Sequence, residues 1–253
     1  MGTSFSPEEL AGAEACFAAA WGLLYEEPTA AAVAEQVADD LFASAPFAAD
    51  EPVSKEGLAL MAAWCAEARA EYRESGAEAP CDAVSLAASP LFGERVGALK
   101  REWLRLFAGV GTPEASCLES FYVEPNRHMF GKNTLAVREV YRTHGLQVEK
   151  LHSEPDDHLG LMLGFVSHLI GEELDALEAA DSATAAQAAA DQEAFLVEHM
   201  LPWLPAWRFL VEEHAVSDYY RGLGDFVFGL ISCYAERFDI VYDAEGQRFK
   251  QVR

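Results

Sequence analysis

Ser153-Glu154-Pro155-Asp156-Asp157-His158 runs straight into Leu159-Gly160-Leu161-Met162-Leu163-Gly164-Phe165-Val166. A short block of acids with one histidine opens the most apolar helix-like segment of the chain. Ser153 is suited to cap a helix with its hydroxyl. Pro155 fits a first turn, where its missing N–H is not needed. Glu154, Asp156 and Asp157 stand where the positive end of the helix dipole favours negative charge. The pattern predicts a helix from Glu154 to about Leu177. His158 then falls four residues after Glu154, on the same face. A carboxylate and an imidazole would meet at the mouth of a buried helix.

Outward from this stretch the chain reads as helix almost throughout. Ser6-Pro7-Glu8-Glu9 is a capping-box start, and Leu10, Cys16, Phe17, Trp21 and Leu24 predict an amphipathic helix over 7–25. A second helix starts at Pro28 and runs through Val33, Val37, Leu41 and Phe42; a third covers 54–75. The stretch from Ser75 to Pro90 reads as irregular with at most a short helix, and Leu91 to Phe107 as helix again. Gly, Pro, Ser and Asn over 109–130 predict an ordered loop, followed by a helix from Asn133 to about His144 with Gly145 closing it. After the opening motif's helix, an Ala-rich stretch predicts a turn and then a helix to about Met200. Pro202 and Pro205 precede two final helices, and residues 237–253 form a polar tail in which Ile240 to Tyr242 hints at extended chain. The expected fold is all-α: about ten helices in a globular array, no significant sheet and no solenoid repeat. We expect a single domain over 1–253, with 1–145 and 146–253 as halves where it divides. The connection near 180–190 is long enough to let a homodimer exchange segments, so monomer and homodimer both fit.

Acids (42) outnumber Lys plus Arg (18), for a formal net charge of −24. Such a surface repels nucleic-acid phosphates and suits a basic partner, or simply serves solubility or salt adaptation. Cys16, Cys65, Cys81, Cys117 and Cys233 form no C-x-x-C pair, which fits a reduced, cytoplasmic protein using cysteine as a small apolar residue. The N-terminus lacks the basic and apolar regions of a signal peptide, although Met1-Gly2-Thr3-Ser4-Phe5-Ser6 fits the permissive myristoylation pattern. No uncharged apolar run is long enough to span a membrane.

Phosphate-loop, dinucleotide and nucleophile-elbow motifs are absent from the sequence. The dense polar cluster is His152, Glu154, Asp156, Asp157 and His158. One reading makes it a metal-dependent hydrolase built on His152, Glu154, Asp157 and His158, but the spacing is neither H-E-x-x-H nor E-x-x-H. Another makes Glu154 or Asp157 orient His158 as an acid/base pair, without any evident nucleophile. The favoured reading is a recognition groove with a capped helix start on one wall. Trp103, Leu106 and Phe107 share a helix face; that spacing is ordinary for core, and a pocket-lining role suits Trp103 best. Ser120 and Tyr122 sit in the ordered loop, where hydrogen bonding within the loop is the plain alternative.

Taken together, these residues resemble a known family. Glu154-Pro155-Asp156-Asp157-His158 resembles the E-P-x-D-H signature of the TorD/DmsD chaperones. Glu102-Trp103-Leu104-Arg105-Leu106-Phe107-Ala108-Gly109 is similar to the family's E-[WY]-x-x-L-F-x-G segment, and Glu119-Ser120-Phe121-Tyr122 to its x-S-V-[YW] loop. Phe130-Gly131, Leu135, Arg138 and Gly145 resemble the following helix, most as in the DmsD branch, and Trp203-Leu204-Pro205 and Tyr219-Tyr220 resemble weaker marks. The likeness is strongest over 100–170. Ala115-Ser116-Cys117-Leu118-Glu119 departs from the Pro-Pro-aromatic often found before the loop serine. The related nitrate-reductase chaperones rank second. The resemblance implies an all-helical cytoplasmic chaperone without catalysis, and no cofactor or metal is expected. It implies binding of the twin-arginine signal peptide of a molybdenum-containing reductase precursor. Trp103, Leu106, Phe107, Ser120, Tyr122, Glu154, Asp157 and His158 are the expected contact residues, with Ser153 and Pro155 structural.

Overall fold

The computed structural model describes residues 5–76, 80–109, 111–124, 130–148 and 155–252. Helix α1 (Pro7–Tyr25) begins with the expected capping box: Ser6 Oγ accepts from the Glu9 N–H and the Ser6 N–H donates to Glu9 Oε2. Thr29 caps α2 (Ala30–Ala38), which stops earlier than the sequence suggests. Asp40 takes a left-handed conformation, and Phe42 reaches the core from a short 3₁₀ turn instead. Helix α3 (Pro52–Glu74) is capped by the Glu51 carboxylate, α4 (Ala83–Ala88) by Asp82 and α5 (Pro90–Trp103) by Ser89. A π turn, Leu104–Ala108, extends α5. The expected loop over 109–130 contains a single-turn helix, α6 (Glu119–Val123). Helices α7 (Lys132–Thr143), α8 (Leu159–Glu178) and α9 (Ser182–Phe195) follow, then a second π turn, Leu196–Met200. Helices α10 (Leu204–His214) and α11 (Asp218–Ala235) complete the array. The C-terminal segment is less polar in role than its composition suggests. Strands β1 (Ile240–Asp243) and β2 (Arg248–Gln251) pair antiparallel, and Tyr242 and Phe249 pack on Phe228 of α11. The fold is therefore all-α with one small hairpin.

Two long helices lie in the middle. On α11, residues from Tyr219 to Ala235 are buried on nearly every side, so the helix is apolar all round. It crosses α3 where two glycines meet: a Cβ on Gly222 would stand 2.5 Å from the Gly57 carbonyl oxygen. On α8, Leu159, Met162, Leu163, Phe165, Val166, Leu169 and Ile170 are buried, largely against α1 and α9. One continuous apolar core joins α1 through to Ile240. One group of its polar exceptions is matched around Gln192, whereas the Tyr220 and Ser232 hydroxyls have no hydrogen-bond partner among the described residues. Gln192 donates to the Leu169 carbonyl and to Glu173, accepts from the Tyr234 hydroxyl, and Arg237 pairs with Glu173.

Candidate peptide-binding site

The block before α8 is not the first turn of that helix. Ser153 and Glu154, with His152, lie outside the described residues. The helix starts at Leu159, and His158 is its cap, with extended backbone (φ −80°, ψ 127°) and ring Nδ1 accepting the Gly160 N–H at 3.1 Å. The predicted start at Glu154 is thus corrected, and Pro155 precedes the helix rather than opening it. The reason lies in what the acids bind. Residues 117–119 and 157–159 run antiparallel: the Leu159 N–H donates to the Cys117 carbonyl at 2.7 Å and the Glu119 N–H to the Asp157 carbonyl at 3.0 Å. That single bridge of His158 to Leu118, preceded by a turn at Asp156 and Asp157, keeps these residues out of the helix.

Asp157 is fully buried, and its two oxygens accept from the Ser120 N–H at 2.9 Å and the Thr134 hydroxyl at 2.8 Å. Ser120 lies in the first turn of α6, so Asp157 caps that helix from across the fold, where the dipole also favours its charge. Asp156 is buried with Arg138 of α7, whose Nε and Nη2 reach one carboxylate oxygen at 3.0 and 2.7 Å. The Tyr141 hydroxyl donates to the Asp156 carbonyl at 3.1 Å. Burial, and then the charges of Asp156, Asp157 and Glu119, push the Tyr141 phenol well above its ordinary range, so it stays a neutral donor. Beside this group, buried Glu119 accepts from Asn133 at 3.0 Å and contacts His199 Nδ1 at 3.1 Å. Motif acids and their partners thus form a buried polar knot tying α6, α7, α8 and the Leu196–Met200 turn together.

Several expected contact residues belong to that interior. Ser120 and Asp157 are buried, Leu106 is fully enclosed, and Phe107 packs on Trp207 and Tyr220 in the core. In this structure Leu106, Phe107, Ser120 and Asp157 therefore lie behind the surface rather than on it. The switch from α5 into the π turn at Leu104 adds a residue to the helical ring. The spacing that would align Trp103 with Leu106 and Phe107 therefore does not carry through. Trp103 stays half-buried and donates its indole N–H to the Leu24 carbonyl at 3.1 Å. The His158 ring is half-buried, edge-on to Tyr25 at 5.3 Å, and Tyr25 stacks with exposed Trp21 at 6.5 Å. Half-buried Tyr122 stacks on Trp203 at 5.0 Å and donates to the Ser116 carbonyl at 2.8 Å. What stays accessible is an aromatic ledge at the end of α1: Trp21, Tyr25, Trp103 and His158, with Tyr122 apart on α6.

A hydrolytic centre finds little support in this geometry. Asp157 and His158 turn to different partners, and among the described residues no three His, Cys, Asp or Glu side chains converge as a metal site. Cys117 is buried with its thiol pushed far up by desolvation. Arg138, Glu119, Asn133, Thr134 and His199 complete the knot. Of these, only Arg138 carries a signal in sequence, as an arginine on an otherwise core-facing position of α7.

The family model described as the nitrate reductase delta subunit matches residues 75–208, more than half of the chain. The chain belongs to this family, that of the TorD and DmsD chaperones. A Tat proofreading chaperone DmsD from Salmonella typhi is 29% identical over 150 residues, 58% of this chain and 67% of that protein. A chaperone protein TorD from Vibrio cholerae serotype O1 is 38% identical over 77 residues, 30% of this chain and 34% of its own. TorD from a Psychrobacter species is 29% identical over 112 residues, 44% of this chain and 48% of that protein. The chain thus spans about a third to two thirds of the length of these chaperones. The matched segment holds the polar knot, α5 with its π turn, and α8. Among the described residues no helix is long and apolar enough to cross a membrane.

Proposed function

We propose that this chaperone binds the twin-arginine signal peptide of a molybdenum-containing oxidoreductase and holds the precursor in the cytoplasm while its cofactor is inserted. The observation that carries the reading is the aromatic ledge of Trp21, Tyr25, Trp103 and His158, fixed from behind by the buried knot of Asp156 and Asp157. Rigid aromatic side chains at a surface are strong anchors for the apolar part of a peptide, because they bury much area while losing little freedom. A chain of net charge −24 complements the basic front of such a peptide. The name of the DmsD relatives, Tat proofreading chaperone, points the same way. In this reading Leu106, Phe107, Ser120 and Asp157 are the frame, while Trp103, His158 and Tyr122 are the contacts. Glu154, outside the described residues, remains a proposed contact beside them.

Calorimetric titration with a synthetic twin-arginine leader peptide tests this. Trp103→Ala and His158→Ala are expected to weaken binding about tenfold while the far-ultraviolet spectrum stays native, consistent with anchor losses of 1–2 kcal/mol. Unchanged affinity in both variants would remove the ledge from the site.

A further inference from the structure

A concavity of about 360 Å³ lies between the end of α1 and α2. Its rim carries Glu26, Glu27, Glu35 and Asp39, all exposed, and its floor includes Leu23 and Tyr220. Of the four acids, only Glu27 has a cationic partner among the described residues, Lys100 at 2.5 Å. Tyr220 is 1% exposed, yet its hydroxyl has no hydrogen-bond partner among the described residues. Its neighbour Tyr219 is satisfied, donating to Gln36 Oε1 at 2.7 Å. A buried phenol left unpaired at the floor of an acid-rimmed cleft is ready to accept or donate one more hydrogen bond. Burial raises the Tyr220 phenol far above its ordinary range, so it meets any ligand as a neutral group.

The chemistry of the occupant follows from these groups. The acids do not converge as a metal site. They are spread around an apolar floor with an aromatic ring, which suits a wide, flat cation. A guanidinium presents several N–H donors to separate carboxylates and lays its face on aromatic or aliphatic surface; an ammonium does neither as well. We propose that this cleft receives the guanidinium groups of an arginine-bearing partner peptide, with Glu26, Glu35 and Asp39 accepting from them and the Tyr220 hydroxyl accepting at the floor. The proposal rests on the peptide-binding reading above and locates the basic front of that peptide. The C-terminal end of α1 and the residue after it serve both surfaces: Leu23 and Glu26 line the cleft, while Leu24 and Tyr25 meet Trp103 and His158. Arginines in the cleft would leave the following apolar residues beside the ledge.

The test uses the full chain and two probes. One is a leader peptide with two adjacent arginines ahead of an apolar run; the other is the blocked dipeptide Ac-Arg-Arg-amide, which has no apolar run. The leader is expected to bind the Glu35→Gln/Asp39→Asn double variant about tenfold more weakly, and Tyr220→Phe about threefold more weakly, than the parent chain. Both variants should melt as the parent does, and the double variant should show a shallower salt dependence of binding. Affinities within twofold of the parent would overturn the cleft while leaving peptide binding intact. Equal affinity for a leader with Lys-Lys in place of Arg-Arg would overturn its guanidinium preference. Should the parent bind no leader, the proposed function falls, and the cleft is judged by the dipeptide alone. Saturable shifts of the Gly22 and Gln36 amide resonances that vanish in the double variant support it, and no shift in the parent overturns it.

Discussion

Asp157 and His158 are adjacent, yet their side chains do different work. Asp157 is enclosed and accepts two hydrogen bonds from groups 37 and 23 residues away. Asp157→Ala would strand the Ser120 N–H and the Thr134 hydroxyl in the interior. A loss of about 3 kcal/mol is expected in urea unfolding, with weaker peptide binding only in proportion to the unfolded fraction. His158→Ala removes a helix cap and should cost about 1 kcal/mol while taking binding with it. That contrast separates frame from contact. Both residues are conspicuous in the string, and the sequence singles both out. Their division of labour is not legible there, because burial of Asp157 depends on α6 and α7 folding over it.

Among the elements, a capping box such as Ser6–Glu9 is read readily from sequence, since it is completed within a few residues. Asp181 shows the consequence for pH. Hydrogen bonds from the Thr184 hydroxyl and backbone, then from Ala183, hold its carboxyl below its ordinary 3.8. A folded value below the unfolded one means that the cap's contribution is complete above the unfolded value. It is lost as pH falls through the folded one. Asp181→Ala should therefore lower the melting temperature at neutral pH, and the gap to the parent should close as pH is taken below 3.8. The α3–α11 crossing is less legible. Gly57 and Gly222 look like ordinary helical glycines until the two backbones meet. Gly222→Ala puts a methyl 2.5 Å from a carbonyl oxygen and should cost about 1–3 kcal/mol by thermal unfolding. The π turn after Trp103 escapes periodicity because the signal itself assumes a constant period.

At the scale of the whole molecule the acid excess sets two opposed responses to salt. Self-repulsion in a chain of net charge −24 relaxes as ions screen it, so raising sodium chloride from low ionic strength should raise the melting temperature. The same screening should weaken association with an arginine-rich peptide, read by titration over the same range. A melting temperature that falls with salt would mean that exposed paired charges, such as Arg142–Glu139, outweigh the repulsion. The core itself ignores both, being continuous and apolar from α1 to the hairpin.

By itself the sequence determined the helical class, most helix positions and the two segments around which the candidate site is built. Period, caps and prolines act over one or two turns, and those rules travel with the residues. Only the tertiary structure decided which side of the surface each motif residue occupies. It turned Leu106, Phe107, Ser120 and Asp157 inward and left Trp103 and His158 on a ledge at the end of α1. It also set Tyr220 beneath Glu35 and Asp39, residues from opposite ends of the chain. Burial and juxtaposition arise from contacts between distant segments, and no local pattern encodes which segments those are.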